Sequence, residues 1–368
     1  MPAVLLVVQA WLSLLHTVSA SSVSNGTSQT FVDLWPIRGQ PGQYRFPSFI
    51  STRKSVLLFA SGPRGVEIRR STDSGGSFST PWQMRPTVGV AQAMYDPGTD
   101  AVLVLHRHPA PANGTCEQIC GRWVSKSTDD GSSFSDPIQA GTGDIGATWG
   151  SGLAHGIALQ SGRLAAAYRT DCSDRGQPGY HCTDNFFITD RALLSNDSGA
   201  TWYAGGPVPH AKRSDWTESN LAELANGSVV LTSRMFEHTD DERSWAISHD
   251  GAVSWAKEWH FSSRQTGGYG PEGNTEGSLL AAKNGSKLLF AHPTTYSLQV
   301  GGGRDNLTVS ESDDGGASWT TYAWGLVYPG GSAYSDMALL PNGSIGVAWE
   351  RGRYQYISFA VLTPPWAV

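Results

Sequence analysis

Five aspartates recur in one motif, Ser-x-Asp-x-Gly-x-x-Trp/Phe. They are Asp73, Asp129, Asp197, Asp250 and Asp314, and the copy around Asp250 carries Ala252 where the glycine belongs. A carboxylate beside a hydroxyl can serve as acid, base or metal ligand. Five copies spread along the chain cannot converge on one site, whereas a turn explains each of them. The serine and aspartate bond nearby backbone, the glycine takes a left-handed position and the aromatic anchors the turn. These aspartates, and the tryptophans that end the boxes, are therefore expected to be architectural. The sequence contains no glycine-rich phosphate loop, no Ser/His/Asp signature and no metal-ligand cluster. His106 and His108, close to prolines, read as ordinary loop residues.

A second series falls between the boxes. Ser161-Gly162, Asn226-Gly227, Asn284-Gly285 and Asn342-Gly343 precede RLAAAY, SVVLTSR, SKLLFAH and SIGVAW. Asp96-Pro97-Gly98 before AVLVLH and Arg53-Lys54 before SVLLFA complete the set. Such turns between apolar runs are hairpin signals. Each repeat of about sixty residues then holds two hairpins, and six repeats of four antiparallel strands make an all-β, six-bladed β-propeller.

Composition agrees with a turn-rich β protein: 43 glycines, 14 tryptophans and only 16% charged residues. The net charge of −6 argues against a nucleic-acid or anionic-membrane surface. An apolar run from Val4 to Leu15, followed by Val18-Ser19-Ala20, reads as a signal peptide over residues 1–20. Residues 21–41 form an N-terminal segment and residues 42–368 the propeller domain. No later stretch is apolar enough to span a bilayer, so the expectation is a secreted, soluble protein without membrane insertion. Cys116 with Cys120 and Cys172 with Cys182 read as two local disulfides. Glycosylation acceptors begin at Asn25, Asn113, Asn196, Asn226, Asn284, Asn306 and Asn342, several of which also read simply as turn residues.

The Ser-x-Asp-x-Gly-x-x-Trp box resembles the Asp-box (BNR repeat) of the sialidases, and the resemblance extends over roughly residues 42–360. Tyr44-Arg45-Phe46-Pro47 stands where that family has Tyr-Arg-Ile-Pro. The resemblance implies that Arg45, Arg234 in ELANGSVVLTSR and Arg304 in GGGRDNLTVSESDDGGASW grip a substrate carboxylate. Guanidinium forks suit that task, since they stay ionised and bind carboxylates in plane. By the same resemblance, Tyr334 is the nucleophile, Glu218 the base that takes its proton, and Glu350 the carboxylate that orients Arg45. A tyrosine avoids the repulsion a carboxylate nucleophile would meet beside an acidic sugar, and sialidases are the tyrosine exception among glycosidases. His155-Gly156-Ile157 also recurs in the family, where it reads as architecture.

The general acid has no evident counterpart. Where the family carries an aspartate in a loop of the first blade, this chain reads FASGPRGVEIRRSTD, with Ser61 at the acidic position and the loop shortened. Arg64 and Glu67 are the possible pocket residues there, and Val90-Ala91 is apolar where a second polar residue is usual. The resemblance implies an exo-acting retaining hydrolase that releases terminal sialic acid, or a related nonulosonic acid, from sialylated or other acidic glycans. It would need neither metal nor cofactor. Two alternatives stand beside it: a sialidase-like protein that binds acidic sugars without turnover, and a hydrolase for another keto-deoxy sugar acid.

Overall fold

The computed structural model of the chain describes residues 19–21, 30–36, 44–84, 88–107, 122–140, 154–171, 188–209, 216–235, 242–262, 275–297, 303–352 and 354–366. No α-helix occurs among the described residues. The fold is an all-β propeller of four-stranded antiparallel blades.

The apolar runs behind the hairpin turns become the second strand of each blade: β4 (Val56–Gly62), β8 (Ala101–Arg107), β12 (Leu164–Asp171), β16 (Val229–Met235), β20 (Lys287–Ser297) and β23 (Ile345–Arg351). They are continuous in apolar character because a strand covered on both faces has no polar side to show. Each pairs with the strand before it, on the inner side: β3 (Arg45–Ser51), β7 (Val88–Asp96), β11 (Ile157–Ala158), β15 (Trp216–Glu223), β19 (Ser278–Ala282) and the second half of β22 (Thr320–Leu339).

Four sheets stand alone. They are completed by β5 (Gly65–Ser71) and β6 (Trp82–Gln83), β9 (Arg122–Ser127) and β10 (Ile138–Gln139), β13 (Ile188–Ser195) and β14 (Tyr203–Ala204), and β17 (Glu242–Ser248) and β18 (Lys257–Ser262). The expectation of six separate blades meets a difference in the rest. Strands β19, β20, β21 (Gly303–Ser312), β22, β23, β24 (Tyr356–Leu362), β2 (Thr30–Trp35) and β1 (Ser19–Ser21) form one eight-stranded sheet. Its cause is β22, which pairs with β21 as far as Gly331 and with β23 from Ser332 onward, with no turn between.

Closure comes from both ends of the chain. In β2 and β24, Phe31 lies opposite Ala360 and Trp35 opposite Ile357. Apolar clusters then fill the seams between sheets. Phe49 and Leu58 pack with Ala348 and Phe359 between the first and last sheets, and Leu57 and Phe59 with Val102 and Val104 at the next seam. The series continues through Leu105 with Leu193, Leu194 with Leu231 and Val230 with Phe290, while Leu289 packs with Val347 between the two halves of the eight-stranded sheet.

The boxes are turns, as their composition implies. Asp129 accepts from Ser127 Oγ at 2.8 Å and from Ser133 N and Oγ at 2.8 and 2.6 Å. Asp73, Asp197, Asp250 and Asp314 repeat the pattern. Two left-handed residues follow each aspartate, and Ala252, at φ 68°, adopts the conformation that glycine takes in the other boxes. His106 departs from its loop reading. It is fully buried in β8 with Nε2 2.9 Å from Ser125 Oγ, a core histidine satisfied across two strands.

His108, the four cysteines, Asn25, Asn113 and residues 1–18 lie outside the described residues. Of the other acceptor sites, Asn226 and Asn342 serve their own turns, accepting from Ser228 N and Ser344 N at 3.0 Å each. Among the described residues no helix is long and apolar enough to cross a membrane.

Candidate active site

Four of the inner strands start with a break in register. The β3–β4 pairing shifts between Arg45 and Ser48, β7–β8 between Val88 and Gln92, β15–β16 between Thr217 and Ser219, and β22–β23 between Ser332 and Ser335. A bulge turns a side chain away from the alternation of its strand. Phe46, Glu218 and Tyr334 sit inside three of these breaks, with Phe46 at φ 57° and Glu218 at φ 61°. Local irregularity thus brings together residues that a regular ladder would send to different faces.

Tyr334 is the centre of the group. Its Oη donates to Glu218 Oε1 at 2.6 Å and accepts from Arg234 Nη1 at 2.9 Å. The same Nη1 donates to Glu218 Oε2 at 2.5 Å. Burial raises the phenol pKa well above its ordinary value, the Glu218 charge adds to the rise, and Arg234 opposes it. The hydroxyl therefore stays protonated unless a base takes its proton as it reacts, and Glu218 is the group in reach.

The other two arginines complete the ring. Arg45 and Arg304 place their guanidinium carbons 5.4 and 5.3 Å from the centre of the Tyr334 ring. Arg45 Nε donates to Glu350 Oε1 at 2.6 Å, and the backbone N–H of Phe46 reaches the same oxygen at 2.9 Å. Glu350 is fully buried; burial lifts its carboxyl pKa and Arg45 only partly restores it. Burial alone would lower the Arg45 pKa, but Glu350 overrides this and the guanidinium is held charged. The Phe46 ring stacks on Tyr334 at 5.5 Å and 27°. Arg45, Arg234, Arg304, Tyr334, Glu218 and Glu350 thus form one cluster.

Arg64 and Glu67 have other partners. Glu67 is buried in β5, where it accepts from Arg64 Nη2 at 3.0 Å, Trp35 Nε1 at 3.1 Å and Tyr44 Oη at 3.2 Å. These bonds fasten the first blade to β2 and occupy the carboxylate as a structural anchor. The β4–β5 turn is tight, with Gly62 opposite Gly65 and only Pro63-Arg64 between them. Ser61 donates its hydroxyl to Gly89 O at 2.8 Å.

Beneath the cluster lies a polar layer of which the sequence reading found only the histidine. Asp336, fully buried, accepts from Phe49 N at 2.7 Å, His155 Nδ1 at 2.8 Å and Ser278 Oγ at 2.8 Å, tying four inner segments together. Glu276 is buried too, and its Oε1 has no hydrogen-bond partner among the described residues. Burial raises its carboxyl pKa far above the ordinary value, and Glu218, Asp336 and Glu350 add to the rise. Neither carboxylate carries a motif, so only the spatial convergence reveals them. Among the described residues no group of three or more His, Cys, Asp or Glu is placed to hold a metal ion.

Residues 85–347 match the family described as BNR repeat-like domain. A sialidase of Bacteroides fragilis (strain YCH46) is 25% identical over 355 residues, covering 83% of this chain and 60% of the relative. A sialidase of Micromonospora viridifaciens is 25% identical over 378 residues, covering 89% of this chain and 53% of the relative. The chain thus spans 60% or less of the length of these curated relatives. Among solved structures, Hadza microbial sialidase Hz136 superposes with a TM-score of 0.67 at 21% identity, over 87% of this chain and 65% of that one. Trypanosoma rangeli sialidase gives 0.61 at 15% identity, over 94% of this chain and 60% of that one.

Proposed function

Since the chain belongs to the BNR repeat-like domain family of the sialidase superfamily, we propose that it is an exo-acting retaining glycoside hydrolase releasing terminal sialic acid, or a related nonulosonic acid, from glycoconjugates. The observation that carries this reading is Tyr334 Oη, 2.6 Å from Glu218 inside a ring of three arginines. Arg45, Arg234 and Arg304 hold the sugar carboxylate. Tyr334 Oη bonds to the anomeric carbon as its proton passes to Glu218, and the aglycone oxygen departs with the electron pair of the broken bond. Water then attacks the same carbon, the proton held by Glu218 returns to the departing tyrosine oxygen, and the proton shed by the water neutralises the released aglycone anion. Six blades belong to this reading, with the eight-stranded sheet counted as two that meet where β22 passes from β21 to β23. So does export directed by residues 1–20.

The tight β4–β5 turn favours one variant of the mechanism, and a second reading beside it. With no carboxylate between Ser61 and Gly65, the leaving oxygen departs without protonation from this blade. An aglycone that is stable as an anion then reacts well, while a sugar alcohol reacts more slowly by roughly 10²–10⁴-fold. The second reading is a protein that binds acidic sugars through its arginines without cleaving them.

Both are tested by measuring kcat/KM on an aryl sialoside and on a sialyl-galactose substrate, with wild type and Tyr334→Phe. The proposal expects fast aryl cleavage, slow cleavage of the natural linkage, and loss of both in the variant with binding of free sialic acid retained. Equal efficiency on the two substrates would mean that a general acid is supplied by another part of the chain. Binding without cleavage of either establishes the second reading.

A further inference from the structure

Phe46 at φ 57° and Glu218 at φ 61° hold left-handed backbone inside strands, and Tyr354 at φ 67° holds it in the turn between β23 and β24. The other non-glycine cases are Ser, Asp, Asn, Lys and Ala, most of them in boxes and hairpin turns. A large side chain in that region is strained and persists only where its surroundings hold it. Phe46 and Glu218 already belong to the cluster around Tyr334.

Tyr354 lies in the link between β23 and β24, a segment without a motif. Its ring sits under the Arg45 guanidinium, with Cζ 4.1 Å from the ring centre, and Phe46 covers Arg45 at 4.5 Å. Its hydroxyl accepts from Arg304 Nη1 at 3.4 Å. Tyr354 therefore touches two arginines that come from different strands, β3 and β21. With Nε of Arg45 engaged by Glu350, an aromatic face below the guanidinium fixes its plane and shields it from water. Both effects strengthen a charge-assisted bond to an incoming carboxylate.

We propose that Tyr354 is a positioning residue of the acidic-sugar site, setting the spacing and orientation of Arg45 and Arg304 for the substrate carboxylate. This rests on the proposed function above. The left-handed backbone belongs to the turn, and it is this turn that carries the ring to both arginines.

Two variants separate the roles, each measured for KM and kcat on an aryl sialoside, Kd for free sialic acid, and Tm. Tyr354→Gly removes the ring and relieves the backbone. It is expected to keep or raise Tm, to raise KM and Kd by about 10-fold, and to leave kcat at saturation within about threefold. Tyr354→Phe keeps the ring and loses only a long hydrogen bond, so KM and Kd should move by less than about threefold. Unchanged KM and Kd in Tyr354→Gly, or a fall in Tm with no change in either, overturns the inference while leaving the proposed function standing. A wild type that neither binds sialic acid nor cleaves the aryl sialoside overturns both.

Discussion

At the outer turns, Asp129 takes its hydrogen bonds from Ser127 and Ser133, no more than four residues away. At the axis, Glu218 takes its bonds from Arg234 and Tyr334, 16 and 116 residues away. Burial opposes ionisation at both Asp129 and Asp250, but the bonds from Ser133 and Ser254 and their neighbours win, bringing each carboxyl down to about 2. At the axis burial prevails instead, and Glu350 and Glu276 are both raised. The same functional group is a closed local device at the rim. At the centre it belongs to a network assembled from several blades. The box aspartates hold their own turns with neighbouring residues; the axial carboxylates are polarised by groups that only the finished ring supplies.

The largest difference is expected for Glu218→Gln. Losing the base should reduce kcat/KM on an aryl sialoside by roughly 10²–10⁴-fold while the urea midpoint moves little. A loss below tenfold would remove Glu218 from proton transfer and blur the contrast with the rim. Asp129→Ala should do the opposite. It loses about 1–2 kcal/mol of stability, read by urea unfolding, and kcat/KM of the folded protein stays within about twofold. Activity falling as far as in Glu218→Gln would show that the boxes are coupled to the site.

The smallest effect concerns Glu276→Gln and its dependence on pH. A carboxyl whose folded pKa is raised lets the native state hold a proton that the unfolded chain releases. This group's contribution to stability therefore declines as pH rises above the ordinary glutamate value. The glutamine variant lacks that decline. Its Tm relative to wild type should increase from pH 5 to pH 8. A difference independent of pH would mean that Glu276 is ionised in both states, like an ordinary rim carboxylate.

These contrasts explain what could be read in the chain. The boxes and hairpin turns are local, so their residue types at fixed offsets predicted strands and turns. The arginines and Tyr334 were found through resemblance, because nothing in composition says that Arg45, Arg234 and Arg304 meet. Bulges set their directions, and a bulge at Thr217–Ser219 leaves no periodic trace in the sequence. Glu67 misled for the reverse reason. It is near the vacant acid position along the chain, yet Trp35, brought in by β2, claims it. Tyr354 and Glu276 carry no motif at all, and only their neighbours in space give them meaning.

The pairing of β2 with β24 also orders events in time. Asp33 binds Arg351 across 318 residues of chain, so the last seam cannot zip until nearly everything else has left the ribosome. Until then the nascent protein is an open arc, with Leu34, Trp35, Phe49 and Leu58 lacking the Ile357 and Phe359 that cover them. That exposed apolar edge is a natural client surface for chaperones. A chain truncated before Tyr356 should remain in that state, prone to aggregate however well its earlier blades have folded.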